Sequence, residues 1–144
     1  MGLLDNYTGI GMSPRPKWQH QNVIRQAILN ASEELEEQRL FMLSEATVTD
    51  NWDDLAPDLV VFNAMHKPLS IIEITTTSET HAIIRKCSEL IDRFPETEYF
   101  VYDYERKRLY AYNEPADTWI SSDEIELYSR YLQFPLLNYL ENVL

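Results

Sequence analysis

With 144 residues, 44% of them apolar and 12% aromatic but only three glycines, the chain has the make-up of a single folded domain, residues 1–144, and lacks material for a glycine-rich phosphate loop. Its 12 Lys and Arg against 24 Asp and Glu leave a net charge of −12, which argues against nucleic-acid binding carried by bulk charge. No apolar run reaches the roughly 18 residues of a membrane helix, the first residues do not form a secretory leader, and the lone Cys87 excludes an intrachain disulfide, so a cytoplasmic setting without membrane is expected.

Residues 1–12 show no period and read as an N-terminal arm, and Pro14 and Pro16 keep the next few residues extended. From 18 to about 37 the spacing predicts a helix, with Val23, Ile24, Ala27, Ile28, Ala31 and Leu35 on one stripe. Glu33, Glu34, Glu36 and Glu37 crowd its C-terminal end, where the helix dipole disfavours carboxylates. They read mainly as a solvated face, with one of them able to turn toward a site. Residues 40–43 read as a short buried strand, 45–48 as a candidate second one, and 49–54 as a polar loop.

Two β-branched runs follow, 59–62 and 69–74. The connector between them is too short for a helical crossover, so they should pair as an antiparallel hairpin. Residues 76–78 supply an N-cap for a helix running to about 94, with Ala82, Ile83, Cys87, Leu90, Ile91 and Phe94 on its apolar stripe and Pro95 beyond its end. Residues 98–104 and 108–113 are strands joined by a charged turn, the first returning parallel to the 69–75 strand through a right-handed crossover. Residues 115–118 read as a loop, 125–131 fit strand or helix equally, and 135–143 read as a closing helix with Pro135 near its first turn. The class is α/β, a mixed central sheet flanked by helices.

Each of the two central runs carries a carboxylate that a buried strand does not call for. Asp58 opens the first and Glu73 lies inside the second, and a buried acid is costly unless paired, protonated or bound to a cation. Alternation puts Glu73 on one face with Leu69, Ile71 and Thr75, and an antiparallel pairing brings Asp58 to the same sheet end. Two such carboxylates and a backbone carbonyl, that of Ile74, suit a hard divalent ion such as Mg²⁺ with water completing its shell. Lys86 interrupts the apolar stripe of the second helix. It lies roughly 10–12 Å down that helix, and Glu73 lies roughly 13 Å back along the strand, so the two share a depth.

Plainer readings stand beside these. Asp58 can simply end a loop, Glu73 and Lys86 can form a structural ion pair, and Lys86 can snorkel to solvent. His20 has two readings, a helper base or an exposed residue, the second being the plainer, while His66 and His81 read as surface. No His or Cys spacing suggests zinc. Against the acidic balance, Arg15 with Lys17 and the run Arg106, Lys107 and Arg108 are the two local basic strips.

Pro57-Asp58 followed by Glu73-Ile74-Thr75, with the helix-first order, resembles the PD-(D/E)xK nuclease signature on its αβββαβ restriction-endonuclease-like core. Ser13-Pro14 with His20, Pro57-Asp58-Leu59-Val60-Val61, Ile72-Glu73-Ile74-Thr75, and Lys86 followed by the strands around Tyr99 to Asp103 and Arg108 to Tyr112 together resemble the Uma-two family of restriction-endonuclease-like proteins, over about residues 13–140. The resemblance implies a DNA phosphodiester hydrolase whose Mg²⁺ or Mn²⁺ is held by Asp58, Glu73 and the Ile74 carbonyl. Thr75 stands where the pattern has its lysine. Some members of the superfamily carry that lysine on the following helix, which here makes Lys86 the third catalytic residue beside Asp58 and Glu73. The alternative, favoured by Thr75 and by the acidic charge, is a noncatalytic protein of the same fold serving as an interaction or regulatory module. Aromatics near the C-terminus suggest a homodimer, which would suit a duplex cutter.

Overall fold

The computed structural model describes residues 18–48 and 56–141. The chain begins with α1 (Trp18–Glu37), passes through β1 (Phe41–Ser44), β2 (Leu59–Phe62) and β3 (Pro68–Thr75), crosses over by α2 (Thr80–Arg93), and continues with β4 (Glu98–Asp103), β5 (Arg108–Asn113), β6 (Thr118–Ser121) and α3 (Leu136–Leu140). The six strands lie in one sheet in sequence order. β3 and β4 pair in parallel, because α2 carries the chain back, and the other neighbours are antiparallel. The expected α/β architecture with a mixed sheet and the αβββαβ order is what forms.

Each face of the sheet is covered by one of the amphipathic helices. Ile24, Ala27, Ala31 and Leu35 of α1 pack on Leu59, Val61, Ile72, Ile74, Phe100 and Tyr102, with Leu136, Tyr139 and Leu140 of α3 closing the layer. Leu90 of α2 covers the other face with Val60, Phe62, Ile71 and Tyr99. The β2–β3 connector is an Asx turn: Asn63 Oδ1 accepts the N–H groups of Met65 and Lys67 at 2.9 and 3.0 Å. No described helix is long and apolar enough to cross a membrane.

Several expectations change. β1 is an edge strand with only Met42 buried, not a buried strand, and residues 45–48 form no strand. Leu69 leaves the Glu73 face, because β3 bulges where Val61 pairs with Ser70 but Phe62 pairs with Pro68, and the extra residue packs toward α1. No side chain of residues 76–78 caps a helix. Thr77–Glu79 instead form a 3₁₀ turn before α2, and Thr80 Oγ1 donates to Thr76 O at 2.9 Å. Ala82 is exposed and lies off the buried stripe of α2.

Residues 125–131 are neither strand nor helix. They are tied to the sheet by Glu98, whose carboxylate accepts from the hydroxyls of Ser70 and Ser129 and from Arg130 N–H. β6 begins at the last residue of the expected loop 115–118, and α3 is shorter than the span 135–143, whose last residues lie outside those described, as do the arm 1–12, the Arg15–Lys17 strip and the loop 49–54.

Candidate active site

Register decides where the two carboxylates meet. Leu59 pairs with Ile72, so Asp58, one residue before β2, stands beside Glu73. Asp58 N–H donates to Glu73 Oε1 at 3.2 Å, and Ile74 N–H donates to Asp58 Oδ2 at 2.8 Å. The acids are therefore interlocked through backbone donors on adjoining strand ends. The N–H and C=O of one strand residue point toward the same neighbouring strand, so the Ile74 carbonyl also faces the Asp58 side. Thr75 alternates, its carbonyl accepting Tyr104 N–H at 3.0 Å on the β4 side.

Each carboxylate has a basic neighbour delivered by a different helix. Lys86 reaches in from α2 with Nζ 3.0 Å from Glu73 Oε2, as the matched depths along helix and strand predict. His20 reaches in from the first turn of α1 with Nε2 3.3 Å from Asp58 Oδ1, its side chain only 19% exposed. The exposed reading of His20 is thus corrected. The signal was present in the sequence: His20 lies four, seven and eleven residues before Ile24, Ala27 and Ala31, the stripe that faces the sheet. The glutamates at the far end of α1 stay away from the site. Glu33, Glu36 and Glu37 are exposed, and Glu34 accepts a 2.6 Å hydrogen bond from Tyr139 Oη in α3. His66 and His81 are exposed, as expected.

These groups open into a cavity of about 360 Å³ that Gln21, Thr76, Glu79, Ile83 and Tyr104 also line. Burial, together with the adjacent Asp58 charge, pushes the Glu73 carboxyl from 4.5 up to about 7, although the Lys86 ammonium opposes the shift. Burial acts on Asp58 in the same sense, but His20 and the Ile74 N–H outweigh it and hold that carboxyl below its ordinary value. For Lys86, burial favours the neutral amine, and the Glu73 charge overcomes this and raises the ammonium's pKa. Neighbouring acids driven apart in this way are a common arrangement where charge is to be managed at a reacting centre. Cys87, next to Lys86, is fully buried with its thiol pushed up to about 12, and so is an inert packing group.

No protein-family model matches the sequence, and no curated protein matches it. Among solved structures, the chain is similar to a protein of Anabaena variabilis ATCC 29413 described as a candidate nuclease belonging to DUF820, with a TM-score of 0.66 over 91% of this chain and 85% of that one. The two share a fold. Sequence identity is 14%, so the likeness is one of architecture, and it extends across nearly all of both chains. The α/β fold carrying the Asp58–Glu73 site is therefore a fold also found in the DUF820 neighbour.

The side chains present suit a hard cation. Glu73 Oε2 is buried and, despite the nearby ammonium, accepts no well-directed hydrogen bond, so a lone pair is left without a donor. Among the described residues no group of three His, Cys, Asp or Glu side chains is arranged to hold a metal. Two carboxylates, a carbonyl and water form the donor set that Mg²⁺ or Mn²⁺ accepts and that zinc rarely does.

Proposed function

We propose that the chain is a restriction-endonuclease-like protein of the Uma-two family that hydrolyses DNA phosphodiesters with a divalent ion held by Asp58, Glu73 and the Ile74 carbonyl. The observation that carries this reading is the convergence of Asp58 and Glu73 on one sheet end, each with a basic side chain at 3.3 or 3.0 Å from a separate helix. The fold shared with the candidate nuclease supports it. A bound Mg²⁺ or Mn²⁺ would supply Lewis-acid stabilisation of a phosphoryl oxygen and ease ionisation of water at neutral pH.

The chain's own residues have separate tasks. Asp58 and Glu73 provide anionic oxygens fixed by the Ile74 and Asp58 N–H groups, so neither needs to reorganise when a cation arrives. Thr75, 4% exposed, has no charge to offer at the position of the motif lysine. Lys86 takes over that task from α2, its side chain 39% exposed, so that its ammonium can face a water or phosphate oxygen while keeping its hold on Glu73.

A second reading, a noncatalytic interaction module on the same fold, is favoured by the net charge of −12. Calorimetric titration with Mn²⁺ separates the two. The hydrolase reading expects saturable binding at millimolar Mn²⁺ or below, weakened about tenfold or more in Asp58→Asn. Absence of binding to the wild type removes it in favour of the module.

A further inference from the structure

The basic run Arg106, Lys107 and Arg108 falls at the same sheet end as the two carboxylates. Thr75 pairs with Asp103 across β3 and β4, Tyr104 lines the cavity that holds Asp58, Glu73 and Lys86, and the β4–β5 turn begins at that point. The acids that flank the turn, Asp103 and Glu105, are held by backbone and hydroxyl donors and form no ion pair with Arg106 or Lys107 among the described residues. The carboxylate of Asp103, a residue only 1% exposed, accepts the N–H groups of Glu105 and Arg106 at 3.0 and 3.1 Å and the Thr77 hydroxyl at 2.7 Å. Glu105 Oε1 accepts Thr77 N–H at 3.0 Å, and Arg108 pairs with Asp123 at 2.8 Å. Arg106 and Lys107 remain exposed, and among the described residues neither forms an ion pair. Lys107 sits at φ 55°, in the left-handed region, so the tip is tightly shaped rather than extended.

We propose that this turn is a backbone-binding rail for the DNA strand, with Arg106 and Lys107 taking phosphates that flank the one at Asp58 and Glu73. The proposal rests on the nuclease reading of that site and adds where the substrate strand lies. A chain of net charge −12 repels a polyanion over most of its surface. A short cationic rail fixed by its own internal hydrogen bonds offers favourable contact beside the site at small entropic cost.

The test is fluorescence anisotropy on the full chain, with Ca²⁺ present and a labelled DNA of about 20 nucleotides, single-stranded and duplex, titrated at several salt concentrations from about 50 mM upward. The expected result is that Arg106→Ala/Lys107→Ala binds about tenfold more weakly than wild type at low salt, with a salt slope smaller by about 2. Lys67→Ala, at the opposite sheet end, should match wild type. Circular dichroism of the double variant verifies that the turn's loss has not unfolded the chain, and charge-preserving Arg106→Lys should recover most of the affinity. The rail is overturned if wild type binds neither DNA, or if the double variant keeps wild-type affinity and slope. Binding that depends on Arg106 and Lys107 in a chain that never cleaves DNA would uphold the rail and sink the hydrolase reading. Cleavage by wild type with unchanged binding in the double variant would do the reverse.

Discussion

Glu73 is a carboxylic acid whose charge the fold disfavours. Its carboxyl is held at about 7 in the folded chain against 4.5 ordinarily, through burial and the neighbouring Asp58. Between those values the folded state binds more protons than the unfolded one. The stability Glu73 contributes is therefore complete below about pH 4.5 and is lost as pH rises to about 7, a loss on the order of 3 kcal/mol. Urea unfolding of the metal-free protein from about pH 4 to 8 should show wild type losing stability relative to Glu73→Gln over this window. In Lys86→Ala the decline should extend to higher pH, because the ammonium no longer draws the carboxyl down. Parallel profiles for wild type and Glu73→Gln would mean that Glu73 is an ordinary, well-paired acid.

At the scale of elements, α1 and α2 act as two arms that deliver His20 and Lys86 to a sheet end built by β2 and β3. The reach of α1 depends on Ala27 and Ala31, both fully buried, whose small side chains let the helix lie close on Ile72 and Ile74. Ala31→Leu should cost about 1–3 kcal/mol by overpacking, whereas Leu29→Ala, on the opposite face at 62% exposure, should stay within about 0.5 kcal/mol. Chemical denaturation of both variants gives the comparison.

The same amphipathic logic explains what could be read from the sequence. The α1 stripe, the β2–β3 hairpin and the depth match of Lys86 to Glu73 follow from periods of 3.6 and 2, which are local properties of the chain. The β3 bulge at Leu69, the irregular run 125–131 held by Glu98, and β6 were not readable. Each depends on a pairing that neither period encodes: the register slip that sets Phe62 against Pro68, the bond of Ser129 to Glu98 across 31 residues, and the pairing of Trp119 with Tyr112. His20 was legible in principle, since the stripe extended back by one turn points it at the sheet.

For the whole molecule, the sheet is polarised. One strand end gathers Asp58, Glu73, Lys86 and His20 beside the basic turn, while the other carries the exposed Lys67–Glu96 pair at 3.2 Å. On the proposed reading, the exposed Arg106 and Lys107 beside the carboxylate site would admit a nucleic-acid backbone at one place on an otherwise acidic chain. The most direct test of the hydrolase reading is cleavage of a DNA duplex in Mn²⁺ by purified wild type, Glu73→Gln and Lys86→Ala, each shown to be folded. The account predicts Mn²⁺-dependent cleavage by wild type and a loss of about 100-fold or more in both variants. Equal cleavage by all three, or none by wild type, would contradict it.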